Sequence, residues 1–302
     1  MKYAIGIDLG GSKIEGILAN EQGKIIKQLR QPTQSFKTRK VILANIDLVV
    51  SSLLTVARAK GLKVKGLGVG VPGSIDRNGR LQFVPNIRKL RGFNLQQYLE
   101  KKYQLRVILE HDPNCFALAE TLYGAAKNKK VVVGMIWGTG LSCGLVINKK
   151  IYHGATGLAG EIGHTVVDPK AKVKCGCGYA GDLESFISWK KLIEYYQLWH
   201  GQEKNVEAKY IMTNQHDPVA KKVREQAVDY FVLAIALIAN LLNPDIVVLG
   251  GGVSYRLDPI KINKMVQSRV AQPIKNTFKV VRYKIGDSAG SLGAAALVIN
   301  NY

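Results

Sequence analysis

Tyr3-Ala4-Ile5-Gly6-Ile7-Asp8-Leu9-Gly10-Gly11-Ser12-Lys13-Ile14-Glu15-Gly16-Ile17-Leu18-Ala19 is the stretch that decides the fold. Its apolar run 3–7 reads as a buried strand, the glycine pair as a turn and residues 14–19 as a second strand. Asn20-Glu21-Gln22-Gly23 is the next turn and residues 24–30 a third strand, so the chain opens with an antiparallel meander. Gly10 and Gly11 free backbone N–H groups to point at an anion, and the missing side chains let phosphate oxygens approach. Ser12 adds a hydroxyl and Lys13 a positive charge, while Asp8 at the strand end can hold Mg²⁺ directly or through water. Alone, the pattern favours a plain hairpin over a phosphate loop.

Its company changes that balance. Residues 131–137 form a second strand of the same kind, followed by Gly138-Thr139-Gly140 and a strand over 143–148. A third turn, Gly250-Gly251-Gly252, follows the apolar strand 246–249. Three glycine turns at strand ends can together surround the phosphates and sugar of a nucleotide. The set matches neither a Rossmann nor a Walker pattern, and Gly66-Leu67-Gly68-Val69-Gly70 lacks the helix that a dinucleotide fingerprint requires.

Between these turns, residues 38–60 carry helical periodicity through Val41, Ile42, Ile46, Val49, Leu53 and Val56. Residues 64–71 and 107–110 read as strands, and 113–124, 184–200, 217–242 and 288–298 as helices. The chain thus holds two weakly similar halves, each opening strand, glycine turn, strand. The expected division is a smaller α/β domain over 1–113 and a larger one over 114–302. The helix at about 288–302 is expected to pack back on the first.

Of the 302 residues, 47% are apolar, enough for a large core. The formal charge is +21, a field that attracts anions. The basic residues are scattered in short clusters such as Lys127/Lys129/Lys130 and Lys170/Lys172/Lys174, which favours a solvated surface over a nucleic-acid face. No apolar run approaches the roughly 20 residues of a membrane span, and the N-terminus enters a strand without an apolar leader, so a cytoplasmic chain with no membrane partner is expected. Of the four cysteines, Cys115 and Cys143 stand alone, and Cys175 and Cys177 have a spacing that suggests metal ligation over a disulfide.

The motifs, taken in order, resemble the ROK family of sugar kinases, in the hexokinase/actin-like superfamily. They are DLGGSK at 8–13, GVPGSID at 70–76, DPNCFALAE at 112–120, GTG at 138–140, GLAGEIGH at 157–164, CGCGYAGDLE at 175–184, VVLGGGVS at 247–254 and GDSAGSLGAAAL at 286–297. The motifs are similar to those of bacterial N-acetylglucosamine kinases and fructokinases. The resemblance implies a two-domain α/β fold, ribonuclease H-like, with a cleft between duplicated domains. It also implies ATP as phosphoryl donor, a hexose or N-acetylhexosamine as acceptor at its 6-hydroxyl, and a homodimer. The family also contains repressors with an added N-terminal helix-turn-helix. This chain begins at the first kinase strand, so that module is not expected.

Asp112 is the base that the resemblance implies; on residues alone, with Pro113 next, it reads equally as a helix N-cap. Glu161, His164 and Glu184 fall where the family holds sugar hydroxyls, and each carboxylate can accept two such bonds. Asn86 matches a further sugar position, with a turn asparagine as the alternative. Gly73 either leaves room for the sugar ring or serves a type II turn. His111 departs from the family, which has Asn before the base; an imidazole is bulkier and accepts only through a neutral nitrogen. The family's structural zinc takes one His and three Cys. Here His164, Cys175 and Cys177 match, and Asp182 replaces the third Cys, leaving a set that can still be tetrahedral but binds less tightly. Beyond Gly140 the family often has two more glycines before the strand; here the run is Leu141-Ser142-Cys143-Gly144, and Cys143 reads as a small buried apolar residue.

Overall fold

The computed structural model describes residues 1–201 and 206–302. In chain order the strands are β1 (Tyr3–Leu9), β2 (Lys13–Asn20), β3 (Ile25–Pro32), β4 (Val64–Val71), β5 (Ser74–Ile75), β6 (Leu81–Phe83), β7 (Arg106–His111), β8 (Val131–Trp137), β9 (Leu141–Ile147), β10 (Lys150–Ile151), β11 (Ile246–Gly250) and β12 (Lys279–Arg282). The helices are α1 (Arg39–Ala59), α2 (Leu95–Tyr103), α3 (Asp112–Leu122), α4 (Glu184–Ile187), α5 (Trp189–His200), α6 (Ala208–Thr213), α7 (Pro218–Leu242), α8 (Pro259–Gln267) and α9 (Ala289–Ile299). They form two compact units, one of residues 1–128, 149–159 and 284–302, the other of 129–148 and 160–283.

The first unit is built on a sheet ordered β3-β2-β1-β4-β7. β1, β2 and β3 are antiparallel, while β4 and β7 run parallel to β1. The apolar stripe of α1, with Ile42, Ile46, Val49 and Leu53 buried, covers one face. Gly16 makes the fit possible, since a Cβ there would fall 2.2 Å from Val49 Cγ1. α9 covers the opposite face and is buried all round. A Cβ on Gly68 would lie 1.8 Å from Ala294 O, and one on Gly6 1.9 Å from Ser291 O, so both glycines admit the helix backbone against the strands. α3 packs on α9 in turn, where Gly293 meets the backbone of Cys115.

In the second unit β9-β8-β11-β12 repeats the pattern: an antiparallel pair joined by a glycine turn, then parallel strands. Asp217 caps α7 by accepting from Val219 N and Ala220 N, with Pro218 next. The helix buries Phe231 against Trp137 of β8, ring centroids 4.6 Å apart. Asp245 ties the entrance of β8 by accepting from Lys130 N and Val131 N.

No uninterrupted apolar run reaches membrane-span length, yet α1 and α7 meet it by helix length and mean hydropathy. Each puts one face into a core, Val50 and Leu53 on α1 and Phe231, Val232 and Ile235 on α7. The single helix read over 184–200 is two, α4 and α5, because Ser188 takes an extended conformation (φ −62°, ψ 149°).

Candidate functional site

The β1–β2 turn is closed by Gly10 N donating to Lys13 O at 2.9 Å, and Thr33 Oγ1 donates to Gly10 O at 2.6 Å. Asp8 lies opposite Glu15 in the antiparallel register. Glu15 is fully buried, with Arg30 Nε at 2.6 Å and Ser291 Oγ at 3.0 Å. Burial, then the charge of Glu15, push the Asp8 carboxyl up to about 6, against the opposing pull of Lys13. Ser12 follows in the turn and Lys13 opens β2, with its ammonium 3.9 Å from Asp287. A Cβ on Gly11 would fall 2.9 Å from Asn86 Cβ, so Asn86 sits on the same turn. Gly73 (φ 107°) is required by its backbone: a Cβ there would collide with Phe83 O.

In the second unit, Gly138-Thr139-Gly140 is closed by Gly138 N donating to Gly140 O at 3.0 Å. The Gly250-Gly251-Gly252 turn packs directly against the end of β8. A Cβ on Gly251 (φ 88°) would lie 2.4 Å from Trp137 O, and Val253 N donates to that oxygen at 3.1 Å. Two of the three glycine turns are therefore neighbours. Gly252 rests on the Trp189 indole, and the Arg256 guanidinium donates to its carbonyl. Burial pushes the Cys143 thiol up to about 12, in keeping with a small apolar residue.

Asp112 is the first residue of α3, one place past its N-cap, and its side chain is 38% exposed. His111 holds the N-cap position and puts Nε2 3.4 Å from Asp112 Oδ1. Two residues that sequence reasoning missed stand behind them. The buried Glu110 accepts from His111 N at 2.8 Å and from Asn114 Nδ2 at 3.0 Å through Oε1. Its Oε2 lies 2.6 Å from His153 Nε2, and this bond raises the His153 pKa above the usual imidazole value. A contact across 43 residues leaves no local sequence signal.

Glu161, His164 and Glu184 gather in the second unit. Glu161 Oε2 is 3.8 Å from His164 Nε2. Glu184, at the head of α4, accepts from Leu141 N at 3.1 Å, and the absent Cβ of Gly140 admits its carboxylate. The other face of His164 meets the cysteines: Nδ1 is 3.2 Å from Asp182 Oδ2 and 3.7 Å from Cys175 Sγ. Cys177 Sγ is 3.4 Å from Asp182 Oδ2, and the four ligand atoms all lie within 4.8 Å of one another. Tetrahedral zinc with bonds of about 2.0–2.3 Å separates its ligand atoms by roughly 3.3–3.8 Å, near the spacings of 3.2, 3.4 and 3.7 Å found here, and imidazole, thiolate and carboxylate are donors that zinc accepts. Asp182 is fully buried, and its Oδ1 is occupied by Ser185 N at 2.8 Å and Ser185 Oγ at 2.5 Å. Only Oδ2 remains for a metal. Ser185 was not anticipated as a supporting residue.

The profile of the ROK family matches residues 4–301. The chain belongs to the ROK family. It is 31% identical to a glucokinase of Thermotoga maritima, covering 97% of this chain and 96% of that one. It is 32% identical to an N-acetyl-D-glucosamine kinase of Vibrio cholerae, with 97% and 99% covered. A xylose repressor of Bacillus subtilis is 30% identical over 99% of this chain but only 78% of its own length. Among solved structures, a ROK family glucokinase from Streptomyces griseus in complex with glucose and AMPPNP superposes with a TM-score of 0.80 at 28% identity, covering 98% of each chain. The ROK chain described here therefore has the α/β fold of the hexokinase/actin superfamily, with the strand–glycine turn–strand unit present twice.

Proposed function

We propose that this ROK chain is an ATP-dependent sugar kinase that transfers the γ-phosphoryl group to the 6-hydroxyl of a hexose or N-acetylhexosamine. The observation that carries this reading is Asp112, a partly exposed carboxylate at the head of α3, in a chain about a third identical to sugar kinases. Phosphoryl transfer asks little covalent help of the protein; it asks for alignment, charge neutralisation and a proton acceptor. Asp112 accepts the hydroxyl proton as the new O–P bond forms and the γ-phosphorus leaves ADP. Asn86, His111, Glu161, His164 and Glu184 bind sugar hydroxyls. The backbone N–H groups of Gly10, Gly11, Ser12, Gly138, Thr139, Gly140, Gly250, Gly251 and Gly252 take the nucleotide, aided by Lys13.

Mg²⁺ would be held through Asp8, where it neutralises phosphate charge; once paired with a dication Asp8 ionises readily. Zn²⁺ would be held by His164, Cys175, Cys177 and Asp182, cross-linking the 164–182 loop and fixing the outer nitrogen of His164 as a donor. Glucose, N-acetylglucosamine and fructose are the acceptors proposed, in a cytoplasmic homodimer.

Coupled ADP release over glucose, fructose, mannose, N-acetylglucosamine and N-acetylmannosamine tests the reading. Asp112→Asn is expected to lower kcat by about 10²–10⁴-fold while sugar still binds. Wild-type turnover in that variant would remove Asp112 as the base. The similarity to a xylose repressor supports a second reading, a sugar-responsive binding protein. Calorimetric sugar binding with no ADP release from any acceptor would favour it.

A further inference from the structure

Glu110 is the penultimate residue of β7 and is almost fully buried, a costly place for a carboxylate. Both of its oxygens are engaged, and each partner touches the segment that leads to Asp112 or braces it. Oε1 takes the backbone N–H of His111, the residue that links β7 to α3 and whose imidazole contacts Asp112. Oε1 also takes the Asn114 amide, two residues past Asp112 in the first turn of the helix. The other end of that amide, Asn114 Oδ1, is buried and has no hydrogen-bond partner among the described residues. A flipped amide would set that oxygen against the carboxylate, so Asn114 is committed to Glu110.

The second oxygen is held from outside the segment. His153 follows β10 and is half-exposed, and its Nε2 lies 2.6 Å from Glu110 Oε2. Its own loop is closed: Ala159 N donates to His153 O at 3.1 Å, with Gly154 (φ 69°) and Gly157 (φ 87°) making the turns. A loop closed by this bond thus presents the imidazole to the carboxylate.

We propose that Glu110 and His153 are positioning residues for Asp112: the bridged Glu110 carboxylate fixes the turn from β7 into α3 and so sets where the base stands. This rests on the reading of Asp112 as the base. Displacing a reacting group by about 1 Å costs on the order of 100-fold in rate, so the anchoring of a single turn is enough to matter. His153 acts through Glu110, whose Oε2 it contacts. Glutamine at 153 keeps an N–H for Glu110 Oε2, whereas alanine removes it.

The test compares His153→Ala and His153→Gln in the full chain. His153→Ala is expected to lower kcat by about tenfold, with KM for sugar and for ATP changed less than about twofold. Amide hydrogen exchange at His111 and Asn114 should speed up by about tenfold in the same variant. His153→Gln should stay within about threefold of wild type in both readouts. Glu110→Gln, which keeps an acceptor for His111 N–H, supplies the second variant if His153→Ala melts early. Combined with His153→Ala it should lose little beyond either single change. Unchanged kcat and exchange in His153→Ala would overturn the proposal. So would a loss confined to the sugar KM, which would make His153 a substrate contact, or a His153→Gln as impaired as the alanine variant. Absence of any sugar-dependent ADP release from wild type would instead sink the kinase reading, while the exchange measurements still judge the Glu110–His153 brace.

Discussion

His111 lays its imidazole Nε2 3.4 Å from Asp112 Oδ1, so the residue that departs from the ROK pattern is in contact with the proposed base. His111→Asn restores the usual amide. It is expected to change the ratio of kcat/KM between glucose and N-acetylglucosamine by about tenfold, because a site built on hydrogen bonds discriminates through the groups it leaves unpaired. KM for ATP should not move. Steady-state kinetics with the two sugars checks this, and an unaltered ratio would mean that the imidazole does not read the sugar.

Asp8 sets a pH dependence of stability whose sign is opposite to the usual carboxylate. Its pKa is raised to about 6 in the folded chain by burial and by Glu15. Between about pH 4 and 6 the folded state therefore holds a proton that the unfolded state has released. The contribution is full below about pH 4 and is lost as pH rises through 6. Relative to Asp8→Asn, wild type should lose on the order of 2 kcal/mol of stability between pH 4 and 8. Urea unfolding of both proteins at several pH values measures it; parallel profiles would contradict the assignment.

Ser185 holds Asp182 by two hydrogen bonds to Oδ1, leaving Oδ2 toward His164 and Cys177. Ser185→Ala keeps all four donors and the backbone N–H bond at 185 but removes the hydroxyl bond, so the carboxylate is held by one bond in place of two. Zinc affinity should fall by about 10–100-fold, as it does when a ligand loses its supporting bond. Competition with a chromophoric chelator gives the value. Asp182→Cys, a softer ligand, should bind zinc more tightly than wild type.

Gly68→Ala tests the close approach of α9 to β4. The added methyl would fall 1.8 Å from Ala294 O, against backbone that cannot rotate away. Destabilisation of about 3 kcal/mol or more is expected, seen as a lower urea midpoint. Gly92, where a Cβ meets nothing within 4 Å, has a positive φ of 74° and is the strained but uncrowded comparison.

Much of this was legible in the residues. The meander 3–30, its counterpart at 131–148 and the three glycine turns carry local signals, apolar runs broken by glycine, and the strands stand where those signals put them. α2 escaped notice because only Leu95 and Leu99 are buried among polar neighbours, although Asn94 caps it. α8 and β12 are short, with only three and one fully buried residues. At the site, turns and motifs name the residues on which the proposed function rests. The braces Glu15–Ser291, Glu110–His153 and Asp182–Ser185 are harder to read, the first two because they join residues far apart in sequence. For Gly73 the sequence leaves a sugar-ring contact and a turn both open, and for Gly251 it suggests a phosphate turn; at both, close backbone, Phe83 O and Trp137 O, also demands glycine.

The helix α9 lies against β1, β4 and α3, elements finished by residue 122, yet it begins only at residue 289. At a synthesis rate of about 5–20 residues per second, the ribosome needs on the order of ten seconds or more to reach it. Through that interval the nascent first unit has no partner for the sheet face bearing Gly6 and Gly68. Docking of α9 on this half therefore comes late, after the second unit has been made, and a holdase that shields apolar sheet surface is the kind of chaperone from which its yield in a cell should benefit.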